Sequence, residues 1–350
     1  MTARGSRRGD SGPGLPDLSL GGPILVPDMV VLRADPWAPD YGMGFDAAGE
    51  EPSGAVDATV ETSNWSSPLS GRCPDTCPIW FVDGVRRVEL RLVAQDAGRR
   101  AAGLFGSYAV GTVVCDGRST FGEHRVYRAI VVGGGLIPPR VEVTAGNHVL
   151  SFDPTTEQSP DHNAALAGLQ RLMREAEAHL AARTELPPDA VALIDGPLAF
   201  YEEPGHAVVG VSKRFVRQYL GPDEESLLTR LDPGQRTPVF ALLDLAGNPW
   251  RYSWYSRIAP VRVPWHDRAG IVRCEVGAAV GMSRAAELAE LVTDLLPRFA
   301  GRAWDPRTPQ NLAPVAALET WLRHRMGDRL LIRRALTEWL ATDATTAEAG

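Results

Sequence analysis

Asp83 and Asp195 share one local setting: four or five apolar residues, then Asp, then Gly. Ile79-Trp80-Phe81-Val82 leads into Asp83-Gly84, and Ala190-Val191-Ala192-Leu193-Ile194 leads into Asp195-Gly196. A strand end places a side chain at the rim of a sheet, where α/β folds bind ligands. The glycine permits a sharp turn and leaves space beside the carboxylate. Two carboxylates brought together from neighbouring strands repel one another unless a cation lies between them. Hard divalent ions such as Mn²⁺ or Mg²⁺ fit that role. One Asp-Gly is an ordinary turn, but two copies, each closing an apolar run, point to a metal site.

A two-metal phosphodiester-cleaving site needs a third acid. The helix expected ahead of the second apolar run offers Glu175, at i+3 from Leu172, and Glu177, at i+4 from Met173. Glu177 is the favoured ligand, because it lies between Met173 and Leu180 on the apolar stripe, and Glu175 is the alternative. Lys213 is the single lysine of the chain. It is expected to open a helix after the Val208–Val211 strand, where a helix N-terminus already attracts phosphate. Arg86, Arg87 and Arg257 could line a DNA-phosphate track. His206, His266 and His324 have no carboxylate or cysteine at ligand-like spacing. The chain has no Gly-x-Ser-x-Gly elbow and no phosphate-binding Gly-x-x-x-x-Gly-Lys-Ser/Thr loop, and Gly133-Gly134-Gly135 runs into Leu-Ile-Pro-Pro. Serine hydrolase and ATPase chemistry are set aside.

Several elements must hold these residues. Residues 1–75 are rich in Gly, Pro, Ser and Asp and read as a partly disordered N-terminal arm, with one strand or short helix packing on the body. From Ile79 a series of short strands follows: the Asp83 run, Val88–Val93, Ala109–Cys115, Val126–Val132 and Val141–Val143. Together they suggest an antiparallel meander. A helix starting near Ser159-Pro160-Asp161 carries Leu166, Leu169, Leu172, Met173, Ala176 and Leu180 at helical spacing and ends before Pro187-Pro188. The uninterrupted apolar run into Asp195 reads as a central strand buried on both faces. Strands at 208–211, 239–243, 252–258 and 271–276 and helices near 213–220, 283–299, 313–325 and 328–341 complete an α/β domain over residues 76–341, with 342–350 a flexible tail.

The 350 residues suffice for a full core, and 44% apolar with 23% charged residues is ordinary for a globular protein. A net charge of -7 excludes a uniformly basic coat but leaves room for a local arginine-lined channel. Four cysteines are too few for a disulfide scaffold, and Cys73-Pro-Asp-Thr-Cys77 lacks a second ligand pair for structural zinc. The sequence shows neither a secretory core nor a membrane-spanning stretch, so a cytoplasmic protein is expected.

Phe81-Val82-Asp83-Gly84-Val85-Arg86-Arg87, then Leu193-Ile194-Asp195-Gly196-Pro197-Leu198, then Val209-Gly210-Val211-Ser212-Lys213 resemble the NurA nuclease family. Pro309-Gln310-Asn311-Leu312-Ala313-Pro314 echoes its bacterial branch, and the resemblance runs from about residue 78 to 340. It implies a ribonuclease-H-like mixed sheet flanked by helices and Mn²⁺-dependent cleavage of DNA. It also implies a homodimer and partnership with a HerA-type hexameric ATPase in end resection and double-strand-break repair. On this resemblance Asp83 and Asp195 are metal-binding aspartates, Glu177 or Glu175 is the helix glutamate, and Lys213 is the lysine after the second aspartate. Val85 stands where many members have Ser, and the C-terminal His of some members has no match here, although Asn311 lies in that region. Two other readings are a catalytically degenerate adaptor of the same fold and a sugar- or acyl-processing enzyme, the latter needing aromatics such as Trp80 and Tyr201 beside the acids.

Overall fold

The computed structural model describes residues 55–348 except 75–76, 97–98, 162, 188–189, 199–207, 214–216, 262–264 and 302–310. All of these belong to one compact unit, 34–350. In chain order the strands are β1 (Val56–Asp57), β2 (Leu69–Ser70), β3 (Ile79–Asp96), β4 (Arg99–Asp116), β5 (Arg118–Val132), β6 (Val141–Ala145), β7 (His148–Thr156), β8 (Val191–Asp195), β9 (Val208–Ser212), β10 (Gln235–Arg236), β11 (Phe240–Leu243), β12 (Pro249–Arg257) and β13 (Ile271–Gly277). Helix α1 (Ala164–Arg183) precedes β8, and α2 (Pro222–Glu225) precedes β10. Helices α3 (Met282–Leu295), α4 (Ala313–Arg325) and α5 (Arg329–Glu348) follow β13.

The strands form one mixed sheet in the order β1-β11-β12-β13-β9-β8-β3-β4-β5-β7-β6, with β10 bridging β12 and β2. Strands β3, β4 and β5 make the expected antiparallel meander. After α1, the chain adds β8 parallel to β3, and β9 parallel to β8. The short apolar runs of β8 and β9 are buried along their length, as parallel strands covered on both faces must be.

Strand alternation assigns the two faces. Phe81, Leu193, Val209 and Val211 point to a core shared with Leu288 and Val292 of α3 and with Val315, Leu318 and Leu322 of α4. Val82, Ile194 and Val208 point the other way, to Leu166, Leu169, Met173 and Leu180 of α1. These are positions picked out by helical spacing in the sequence. A third cluster seats Ile332, Ala335 and Leu336 of α5 on Phe105 and Phe152.

Four expectations change. Asp83 does not close a strand: β3 continues through Gly84 to Asp96, because β4 supplies partners for all 18 residues apart from a bulge between Val88 and Leu90. What ends at Val82 is the pairing with β8. The helix expected over 213–220 is not found: Lys213, directly after β9, and residues 217–220 are not helical, while 214–216 lie outside the described residues. Within the expected arm, 55–74 contributes β1 and β2 to the sheet, and Gly71 N donates to Gly234 O at 2.9 Å. The last helix runs to Glu348 rather than ending near 341. Tyr201, His206 and residues 1–54 lie outside the described residues. No helix among the described residues is long and apolar enough to cross a membrane.

If α5 docks as described, removing its buried anchor opens a cavity. Leu336 is fully buried, while Leu330 on the same helix is 77% exposed. Leu336→Ala is expected to lower the unfolding free energy by about 2–5 kcal/mol in urea titrations, and Leu330→Ala by less than ~0.5 kcal/mol.

Candidate metal centre

The parallel register Phe81↔Leu193 and Val82↔Ile194 carries Asp83 and Asp195 to the same rim. Both side chains point to the α4 face, since they continue the alternation of Phe81 and Leu193. Helix α4 crosses above that rim and lowers Glu319 onto it. One carboxylate oxygen each from Asp83, Asp195 and Glu319 lie within 4.8 Å of one another. Asp83 and Glu319 are buried and Asp195 is half-buried. Lys213, two residues beyond Val211 and so on the same face, donates from Nζ to Asp195 Oδ2 at 2.6 Å.

Asp83 is the most constrained member. Its Oδ2 is buried without a hydrogen-bond partner. Burial pushes its carboxyl well above the usual range, and the charges of Asp195, Glu177 and Glu319 push it the same way. Three carboxylates facing one ammonium leave the rim short of positive charge. Arg323 offsets part of this by pairing with Glu319 at 2.9 Å, but its side chain is about half exposed. Acid-only oxygen donors at a dry rim suit a hard divalent cation.

Glu177 approaches the same point from the opposite face. A Cβ on Gly84 would lie 2.6 Å from Glu177 Oε1 and 3.0 Å from Met173 Cγ, so glycine is what lets the helix glutamate rest on the strand. Glu177 is buried, and this raises its carboxyl against the opposing pull of Arg174. Arg174 Nη1 donates to Glu177 Oε2 at 2.8 Å and to the Asp195 carbonyl at 2.7 Å, tying α1 to the end of β8. Burial alone would lower the guanidinium, but the carboxylates of Glu177 and Asp83 outweigh it and raise it. Gly196, at φ 125°, turns the chain beneath Arg174.

The structure therefore brings Asp83, Asp195 and Lys213 together, sets Glu177 beside them, and adds Glu319, which sequence reasoning missed. The signal for Glu319 was the one used for Glu177: it follows Val315 at i+4 and precedes Leu322 at i+3, an acid on an apolar stripe. Glu175 is instead on the outer side of α1, paired with Arg171 at 2.8 Å. Arg257 cannot line a phosphate track, because its buried guanidinium donates to the carbonyls of Ala269, Asp267 and Leu228. Arg87 is held by Glu89 and by the Gly327 carbonyl, and so pins β3 to the α4–α5 turn. Arg86 donates to Gln170 of α1 and is half-buried on the Glu177 side. Asn311, just ahead of α4, is buried with Oδ1 lacking a hydrogen-bond partner. Residues 309–310 of the Pro309–Pro314 run lie outside the described residues.

No protein-family model matches the chain, and no curated protein matches it. Among solved structures it is similar to NurA with manganese, at 16% identity and a TM-score of 0.18 over 39% of this chain and 23% of that one. A second match, NurA bound to dAMP and manganese, has 16% identity and a TM-score of 0.18 over 38% and 22% of the two chains. The chain thus spans less than a quarter of the length of these structures, and a likeness this low carries no argument about fold or chemistry.

The raised Asp83 carboxyl has a thermodynamic consequence of known sign. A carboxyl raised in the folded state binds its proton more tightly there, so its favourable contribution is complete below the unfolded value, near 3.8, and is lost as pH rises through the folded one. Asp83→Asn removes that penalty. In chelator at pH 7 the variant is expected to melt at least ~2 °C above wild type, the response to ~1 kcal/mol in a chain of this size, with the gain shrinking as pH falls toward 3.8. Added Mn²⁺ should raise the melting temperature of wild type and leave Asp83→Asn unmoved.

Proposed function

We propose that this protein is a metal-dependent DNA nuclease. The observation that carries the reading is the buried, partnerless Oδ2 of Asp83 set among the carboxylates of Asp195 and Glu319. A folded chain tolerates such a group when a cation completes it. Asp83, Asp195 and Glu319, with Glu177 reaching over Gly84, would hold Mn²⁺, or Mg²⁺ in its place. When bound, a pair of such ions supplies an activated water and stabilises the leaving oxygen in phosphodiester cleavage.

The chain's own groups do the rest. Lys213, fixed by Asp195, places an ammonium at the rim where charge builds on a phosphate. Arg174 holds Glu177 and the Asp195 backbone in one arrangement, so the carboxylates are pre-set rather than gathered on binding. Arg86, three residues from Asp83 and half-buried beside α1, is the arginine of the expected DNA track that this reading retains. The core reads as ribonuclease-H-like: a three-strand antiparallel meander, a crossover helix, and two parallel strands added beside the first strand. The sequence resemblance alone extends this reading to a cytoplasmic homodimer that processes DNA ends in double-strand-break repair alongside a HerA-type hexameric ATPase. The Lys213–Asp195 pair, which neutralises one carboxylate in the ion-free chain, would equally suit an adaptor that has lost its activity and only docks on that ATPase.

End-labelled single- and double-stranded DNA, incubated with and without Mn²⁺, tests the proposal. Wild type is expected to cleave only with metal, and Asp83→Ala to be inactive while keeping its circular dichroism spectrum. Glu319→Gln should lose at least the ~10–100-fold that even an outer partner of a metal ligand contributes. Metal-dependent cleavage by Asp83→Ala at the wild-type rate would overturn the assignment. No cleavage and no Mn²⁺-induced thermal shift in wild type would favour the adaptor.

A further inference from the structure

Two strands from Asp83, on the same face, lies an aromatic cluster that the proposed chemistry does not use. Asp83 pairs with Gly111 on β4, and Gly111 pairs with His124 on β5. Directly paired antiparallel residues share a face, so His124 sits about 10 Å from Asp83 across two strand spacings. The strand pairing shifts between Gly111 and Val113, where an extra residue enters β5. Without it, Phe121 and His124, three apart, would point to opposite faces. With it, Val113 faces Phe121 and Gly111 faces His124, and both β5 rings come up on the metal side. Trp321 of α4, two residues past Glu319, covers them: its ring stacks on Phe121 at 4.6 Å and 4°, and His124 meets it edge-on at 4.5 Å. Arg325 lies over the Trp321 ring at 4.9 Å.

We infer that Phe121, backed by Trp321 and His124, is a stacking platform for a base of single-stranded DNA whose phosphate enters the Asp83 centre. The inference rests on the nuclease reading. Phe121 is 45% exposed, an unusual position for a ring already stacked on one side, and its outer side is available. The platform and the metal rim share both a strand row and a helix: Glu319 and Trp321 come from one turn of α4. Gly111, between them in the row, is covered by Leu322 of the same helix, so the two sites are linked through α4. Arg325, exposed and lying over Trp321, supplies positive charge beside the cluster. Stacking on aromatic rings tolerates any base, which suits processing without sequence preference.

The test separates base from phosphate and binding from cleavage. Anisotropy of a labelled oligothymidylate of about 12 nucleotides, in chelator so that no metal chemistry enters, should give a dissociation constant at least roughly fivefold weaker for Phe121→Ala than for wild type. Phe121→Trp should restore wild-type affinity. An abasic strand of the same length should bind wild type and Phe121→Ala equally. Unchanged oligothymidylate binding by Phe121→Ala, or an equal loss on the abasic strand, would overturn the platform. Neither result depends on whether Asp83→Ala abolishes cleavage, so failure of the nuclease reading would be seen separately.

Discussion

The structure is organised around a concentration of negative charge in a place where water cannot dilute it. Asp83 is buried on a central strand, its neighbours Asp195 and Glu319 are acids, and a fourth acid, Glu177, leans on the next residue of the same strand. Bringing these groups together in low dielectric opposes folding. The surrounding elements read as the means of enforcing it. The apolar runs of β3 and β8 lock a parallel register from which the aspartates cannot slip, because a one-residue shift would turn Phe81, Leu193 and every other core residue to the wrong face. Arg174 and Lys213 are then the counterweights, paired with Glu177 and Asp195.

The two faces of the sheet divide the work. From α1 come Glu177 and Arg174, a self-neutralised pair that reaches strand β3 only because Gly84 has no side chain. From α4 come Glu319 and the aromatic Trp321, both over the row that runs Asp83, Gly111, His124. The glycines serve opposite faces for one reason, close approach: a Cβ at Gly111 would meet Leu322 at 3.1 Å. The strand thus presents carboxylate upward and bare backbone downward at consecutive positions, which gives the Asp-Gly pair a physical meaning beyond a turn.

Much of this was legible in the residues. The apolar runs into Asp83 and Asp195 marked the strands, the meander followed from successive short strands, and the stripe from Leu166 to Leu180 marked α1. The readings that failed did so for identifiable reasons. Asp-Gly was read as a strand end because local propensity favours a turn, but continuous pairing with β4 on either side of Gly84 overrides propensity there. Glu319 was passed over because nothing local says which of several later helices crosses the rim, a matter of tertiary packing. Arg257 looked like a phosphate ligand because sequence cannot distinguish an arginine at the surface from one whose donors are consumed by three backbone carbonyls.

The change of neighbours along β3 also sets how its two halves are held. Up to Val82 the strand is held on both edges, by β8 and β4; beyond it, among the described residues, its strand pairing is with β4 alone, over a hairpin that projects a further fourteen residues to Asp96. The hairpin beyond is backed by β5 and by helices α1 and α5, and Arg87 pins it to the α4–α5 turn. Asp83 stands at the boundary. A carboxylate there takes its position from a strand paired on both edges, next to the point where β8 leaves the edge of β3.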